Sequence, residues 1–281
     1  MTNDTFQGAC DCHVHFYDSR LPATPNATLR PEDASVDDYR PVQRAMGTTR
    51  TVVVTPSTYG TDNRATVSAI ATLGQDARGV AVVDASVTEA ELERLHVQGV
   101  RGIRFNLTMP GPVSVEQLLP LASRIAPFGW HIQLNVPASW LPDMRSMLAA
   151  CPVPVVFDHY GHLPFGGPEF EPAFAVIAEL LEAGKAWVKL SGPYIESRGG
   201  PPFYDDVAAL ARRYLTFAPG RMLWGSDWPH PTLADTEKER LDDGSMHALF
   251  RHWCDDNDLI KAVLIDNPQR LYGFASNAET E

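Results

Sequence analysis

Nothing in this chain approaches 18 consecutive apolar residues, so no membrane-spanning helix is expected and a membrane is not among the expected partners. There are only four cysteines, at 10, 12, 151 and 254, with neither Cys-x-x-Cys spacing nor the density of a secreted disulfide framework. That scarcity points to a reducing compartment, and the expected location is cytoplasmic. The stretch Met1 to Gln7 is polar, and without an apolar h-region it does not read as a signal peptide. Basic charge is also short: 23 Lys and Arg stand against 35 Asp and Glu, giving a net charge of -12. The acidic residues are scattered rather than gathered into runs, which describes a solvated surface and argues against nucleic acid. An anionic small molecule remains compatible, because a few local arginines can dominate a pocket whatever the global balance. No Gly-x-Gly-x-x-Gly follows the first apolar run, which weakens a dinucleotide-binding reading. No linker interrupts the 281 residues, so the expectation is one domain over 1–281 with its core at about 9–274.

What the chain does have is a repeating alternation. Short runs rich in Val, Ile and Leu read as strands at Ala9 to Phe16, Thr51 to Val54, Val80 to Asp84, Gly102 to Asn106, Trp130 to Asn135, Val153 to His159, Trp187 to Ser191 and Met222 to Trp224. Helical segments separate them: Ser35 (as N-cap) to Met46 with Gly47 as stop, one opening at Thr61 to Asn63, then Thr88 to Val97, Val115 to Phe128, Ser139 to Ala150, Pro172 to Ala183 and Phe203 to Phe217. Two closing helices fill Met246 to Phe274. Most of the strands are too apolar for a sheet with one wet face, which calls for a parallel sheet covered by helices. Eight is the closing number, so the expected architecture is a single-domain α/β (β/α)8 TIM barrel, with an open doubly wound sheet second. The aperiodic stretch Asp18 to Ala34 has the length of a binding loop or lid.

In such a barrel, reacting groups come from strand C-terminal ends and the loops that follow. His13 and His15 sit at the end of the first strand, two residues apart and therefore on one side of it. Ser57 and Tyr59 follow the second strand. Arg104 and Asn106 end the fourth, Gln133 and Asn135 the fifth, Asp158 and His159 the sixth, and Lys189, Ser191 and Tyr194 belong to the seventh and its loop. Asp227 follows the eighth. Imidazoles can polarise a carbonyl or bind a divalent metal, and a carboxylate can activate water, a combination suited to hydrolysis. A guanidinium suits a substrate carboxylate, and Arg104, Arg101 and Arg198, the last in the Glu196 to Gly200 loop, are the candidates. Ser57, Tyr59, Asn106, Gln133, Asn135 and Tyr194 are further candidate substrate contacts. His162 and His230 read as supporting or loop residues. Lys189 alternates with Val188 and Leu190 and can point into the barrel, where a buried ion pair with Asp158 competes with a catalytic role.

Six motifs in order carry a resemblance: His13-Val14-His15; Val100 to Asn106 with Trp130 to Leu134; Asp158-His159-Tyr160-Gly161; Val188 to Gly192; Gly225-Ser226-Asp227-Trp228-Pro229; and Asp266 to Phe274. Together they resemble the amidohydrolase superfamily, of the amidohydrolase-2 type, in the branch holding 2-pyrone-4,6-dicarboxylate lactonase and sugar-lactone enzymes. The resemblance implies a barrel enzyme that hydrolyses a carboxylate-bearing lactone, with Asp227 activating water while His13, His15 and His159 polarise the carbonyl. An aldarolactone isomerase is the alternative it implies, and a metal-dependent decarboxylase a more distant one. The expected partner is a small lactone or dicarboxylate, and a homo-oligomer is compatible.

Two positions depart from the binuclear pattern of that superfamily. Strand four ends in Asn106, with no lysine to carbamylate, and strand five in Gln133 and Asn135, with no histidine at its tip; His131 lies near the strand start and is expected to face away from the site. A two-metal centre is therefore not expected. One divalent ion such as zinc or manganese would have donors in His13, His15, His159 and Asp227, but the resembling branch includes members that work without metal, and no metal is the expectation.

Overall fold

The computed structural model describes residues 7–254 and 256–275; the polar opening residues 1–6, Asp255 and the ends of the expected domain at 276–281 lie outside the described residues. Eight strands follow one another around a single parallel sheet: β1 (Cys10–Val14), β2 (Arg50–Val54), β3 (Ala77–Ala81), β4 (Val100–Asn106), β5 (His131–Asn135), β6 (Val155–Phe157), β7 (Ala186–Ser191) and β8 (Met222–Gly225). Between them run α1 (Val36–Met46), α2 (Arg64–Leu73), α3 (Glu89–Val97), α4 (Leu118–Ile125), α5 (Leu141–Ala150), α6 (Phe170–Glu182), α7 (Pro193–Glu196) and α8 (Asp205–Phe217). After β8 come α9 (Asp235–Lys238), α10 (Asp243–Cys254), α11 (Asn257–Lys261) and α12 (Asn267–Tyr272). The fold is a (β/α)8 barrel. Its apolar strand residues pack outward on the helices, as in Val155, Phe157, Val188 and Leu190, while alternate positions fill the interior.

The barrel closes through the backbone of the residues that matter most. His15 N–H donates to Trp228 O at 2.8 Å and Asp227 N–H to His13 O at 2.9 Å. Just below, the fully buried Asp11 accepts hydrogen bonds from Ser226 N (2.9 Å), Ser226 Oγ (2.6 Å), His13 N (3.2 Å) and Tyr39 Oη (2.9 Å), tying β1, the loop after β8 and α1 together. Asp11→Ala would leave these donors unanswered inside the protein, each costing about 1–3 kcal/mol. A loss of several kcal/mol is the expected outcome, checked by chemical denaturation; a change under about 1 kcal/mol would show that this junction does not hold the barrel closed.

α1 follows its sequence signals, with a Ser35–Asp38 capping box and Gly47 in the left-handed region at φ 75°. The third strand lies earlier than expected. The Val80 to Asp84 run enters the ladder only as far as Ala81, because the Asn63 side chain takes over both backbone groups of Val82 (2.8 and 2.9 Å) and ends the pairing. The sixth strand is only three residues long, and the expected Val115 to Phe128 helix is α4 flanked by two single 3-10 turns. The closing helical stretch begins at Asp243 and contains a π turn over Ala262–Asp266. The Asp18 to Ala34 loop is clamped at its base by paired Tyr17 and Ala34 backbone bonds (3.0 Å each) and at its start by Tyr59, whose hydroxyl bonds both backbone groups of Asp18.

Candidate active site

The pairing register of β1 with β2 shifts between Asp11 and Val14. At that end of the strand His13 and His15, two residues apart and on one side, meet through their Nε2 atoms at 3.2 Å. His159 joins them from the loop after β6, its ring centroid 4.8 Å from that of His13. Asp227 completes the cluster: its Oδ1 lies 3.5 Å from His13 Nε2, 3.6 Å from His15 Nε2 and 4.0 Å from His159 Nε2. The other carboxylate oxygen accepts from Tyr194 Oη at 2.8 Å, and the same hydroxyl lies 3.0 Å from His230 Nδ1. Asp227 has φ 66°, a left-handed conformation that Asp tolerates better than most residues. Burial alone would raise its pKa, but the His159, His13 and His15 imidazoles packed around it outweigh that and hold it below the usual carboxylate range.

The three rings are fixed from behind. His15 Nδ1 is 2.7 Å from Val54 O, and His159 Nδ1 lies 3.1 Å from Ser191 Oγ and 3.2 Å from Ser191 O. His13 Nδ1 stands between two buried charges, Asp158 Oδ1 at 3.4 Å and Lys189 Nζ at 3.3 Å. Lys189, fully buried, donates to Gln133 Oε1 at 2.6 Å and lies 3.7 Å from Asp158; Asp158 also accepts from Arg104 Nε (3.2 Å) and Gln133 Nε2 (3.1 Å). Burial pushes the Lys189 ammonium down to about 8. Burial works the other way on Asp158, but nearby His13, Lys189 and Arg104 overcome it and keep its carboxyl well below the ordinary range.

Above this cluster opens a pocket of about 280 Å³. Of the residues singled out in the sequence, His15, Ser57, Arg104, Asn106, Asn135, His159 and Asp227 line it, joined by His162, which the sequence left as a loop residue. His13 is sealed beneath them, and Gln133 lies a layer lower with Lys189. Tyr17, Leu29, Met109, Ile195 and Thr232 also line the pocket and carried no sequence signal. Besides Gln133, four expected substrate contacts are elsewhere. Tyr59 is spent on Asp18, and Tyr194 on Asp227 and His230. Arg198 is exposed on its loop, with its backbone N–H on Asp206. Arg101 is at the opposite end of β4 from Asn106, where its guanidinium donates to His96 O and Val100 O. His131 also differs from expectation. It shares the inward face of β5 with Gln133 and packs in the barrel interior over Gly102 and Tyr272, below the rim. A slightly larger groove, about 310 Å³, lies between the Asp18 to Ala34 loop and the first two helices, but neither the histidine cluster nor Asp227 reaches it.

The donor set fits one divalent cation: His13, His15 and Asp227 offer ligand atoms within 4.8 Å of one another, as do His13, Asp158 and His159. Val54 O and Ser191 O behind two of the rings are the kind of partners that hold imidazole ligands in place.

A family model described as Amidohydrolase matches residues 10–274. The chain is 36% identical to a 2-pyrone-4,6-dicarboxylate hydrolase of Comamonas testosteroni, covering 94% of this chain and 90% of that one. It is 30% identical to a D-galactarolactone isomerase of Agrobacterium fabrum, covering 95% and 91%. The crystal structure of an Agrobacterium tumefaciens protein in its apo form superposes with a TM-score of 0.87 at 29% identity, covering 98% of this chain and 99% of that one. With its barrel, its rim of histidines and Asp227, and a family match spanning all eight strands, the chain belongs to the amidohydrolase family.

Proposed function

We propose that this protein is a hydrolase that opens a carboxylate-bearing lactone. The observation that carries the reading is the placement of Asp227 Oδ1 among the Nε2 atoms of His13, His15 and His159 at the floor of a pocket into which Arg104 also points. The 2-pyrone-4,6-dicarboxylate hydrolase among the relatives supports it. Asp227 takes a proton from water as the water oxygen attacks the lactone carbonyl. An imidazole N–H meets the negative charge that develops on the carbonyl oxygen. The ring C–O bond then breaks, and Asp227 returns the proton to the leaving oxygen, leaving a free carboxylate and a hydroxyl or enol.

One hydrogen assignment supplies that N–H without any cofactor. His15 Nδ1–H donates to Val54 O, so its Nε2 accepts from His13 Nε2–H, and His13 Nδ1 in turn accepts from the Lys189 ammonium. Ser191 O–H on His159 Nδ1 leaves His159 Nε2–H free to face the substrate carbonyl. A metal held by His13, His15, His159 and Asp227 would polarise the carbonyl as a Lewis acid. The expected outcome is that chelator-treated protein retains its activity and holds well under one equivalent of transition metal. Activity lost on chelation and restored by zinc or manganese would overturn the metal-free reading.

A pH-indicator screen over a lactone panel tests the reaction class. Hydrolysis releases net acid at neutral pH, whereas migration of the lactone linkage within the molecule, the reaction for which the Agrobacterium fabrum relative is named, does not. Acid release is expected; product formation without it would make the enzyme an isomerase.

A further inference from the structure

We infer that the pocket is built for a lactone carrying a single carboxylate, with neutral hydrogen-bonding groups on the rest of the ring, and not for a dicarboxylate. This rests on the lactone-hydrolase reading and narrows its substrate class.

Among the described residues, only one guanidinium or ammonium lines the pocket, that of Arg104. Its Nε is taken by Asp158, while its Nη groups have no partner among the described residues and can grip one carboxylate with two donors. Lys189 is fully buried beneath the floor and committed to Gln133 and His13. Arg198 and Arg30 are exposed and outside the lining.

Among the described residues lining the pocket outside the His13, His15 and His159 cluster, the other candidate for a second anion is His162, and its hydrogen bonds are already used. Asn106 Oδ1 accepts from Thr108 N–H (3.2 Å) and Thr108 Oγ (2.8 Å), so the Asn135 group facing it at 3.1 Å must be Nδ2. Asn135 Oδ1 is then the acceptor for His162 Nε2–H, and the Glu196 carboxylate accepts from Nδ1–H at 2.5 Å. Both ring nitrogens are occupied. His162 offers a second substrate anion no free donor, and the Glu196 carboxylate behind it would repel one.

The wall on that side is neutral. Asn106 Nδ2 has no partner among the described residues and lines the pocket beside Arg104, two residues apart on the same face of β4. Thr108, Asn135 and Ser57 extend the strip with uncharged hydroxyl and amide groups, those of Thr108 and Asn135 already bonded to Asn106 and His162. A second carboxylate placed there would be desolvated without a cation, a cost that neutral donors repay only in part.

The test uses three matched probes, 2-pyrone, 2-pyrone-6-carboxylate and 2-pyrone-4,6-dicarboxylate. Turnover by the parent enzyme is read by acid release, and equilibrium binding to the Asp227→Asn protein by calorimetry. The monocarboxylate is expected to bind at least tenfold more tightly than either of the others and to have the highest kcat/KM. Tighter binding or faster turnover of the dicarboxylate would overturn the inference while leaving the hydrolase reading standing. If the parent turned over none of the three nor any lactone of the wider panel, the hydrolase reading would fail, and the order of binding would still decide how many anions the pocket takes.

Discussion

Asp227→Asn is expected to lower kcat by more than about a hundredfold while the protein folds as before. Asn retains an oxygen to accept from Tyr194 and, like Asp, tolerates the left-handed backbone that this position imposes. What it loses is the ability to take a proton. Being held below the usual carboxylate range keeps Asp227 ionised across ordinary working pH, so the base is always present. In the proposed mechanism its weakness as a base is offset by its position, because a water between Asp227 and a carbonyl that accepts from His159 Nε2–H needs less further driving force. The measurements are kcat for the best lactone and a thermal melt. An unchanged melt with near-normal turnover would sink the assignment and move the base elsewhere, with His159 the next group in line.

The second large effect is expected from Arg104→Met. Met approximates the length of the side chain but removes the donor fork, so KM for carboxylate-bearing lactones should rise sharply, with a loss of several kcal/mol in transition-state binding. Neutral lactones should be poor substrates for the parent and nearly indifferent to the change. The loss should exceed what a hydroxyl contact provides, since a buried guanidinium and the anion it holds are each costly to leave alone. The fold should survive with reduced stability, because Asp158 keeps Gln133 at 3.1 Å and Lys189 at 3.7 Å. Equal kinetics for charged and neutral lactones in the parent would remove Arg104 as the anion anchor and turn attention to a neutral lactone held by Asn106 and Asn135.

The sequence alone determined the alternation of apolar strands and capped helices, and with it the barrel, because the burial of short Val-rich runs on both faces is a local property of composition and period. It also put His13, His15, His159 and Asp227 at strand ends, where a barrel concentrates its chemistry. Depth was not legible. Arg101 and Arg104 are three residues apart on β4 and so lie on opposite faces of it, but the sequence could not say which face is inward; the closed barrel put Arg104 at the pocket and Arg101 near the opposite end. Period two likewise could not say that the pairing of β1 shifts register between Asp11 and Val14, nor that His131 faces the barrel interior. Nor could it pair distant groups. Lys189 reaches His13 across 176 residues, and Tyr194 on the short α7 and His162 in the loop after β6 find Asp227 and Glu196 only once the strands are closed. Local sequence fixes which backbone geometry is cheap; which buried charge meets which partner is decided by closure, where every buried polar group must find one.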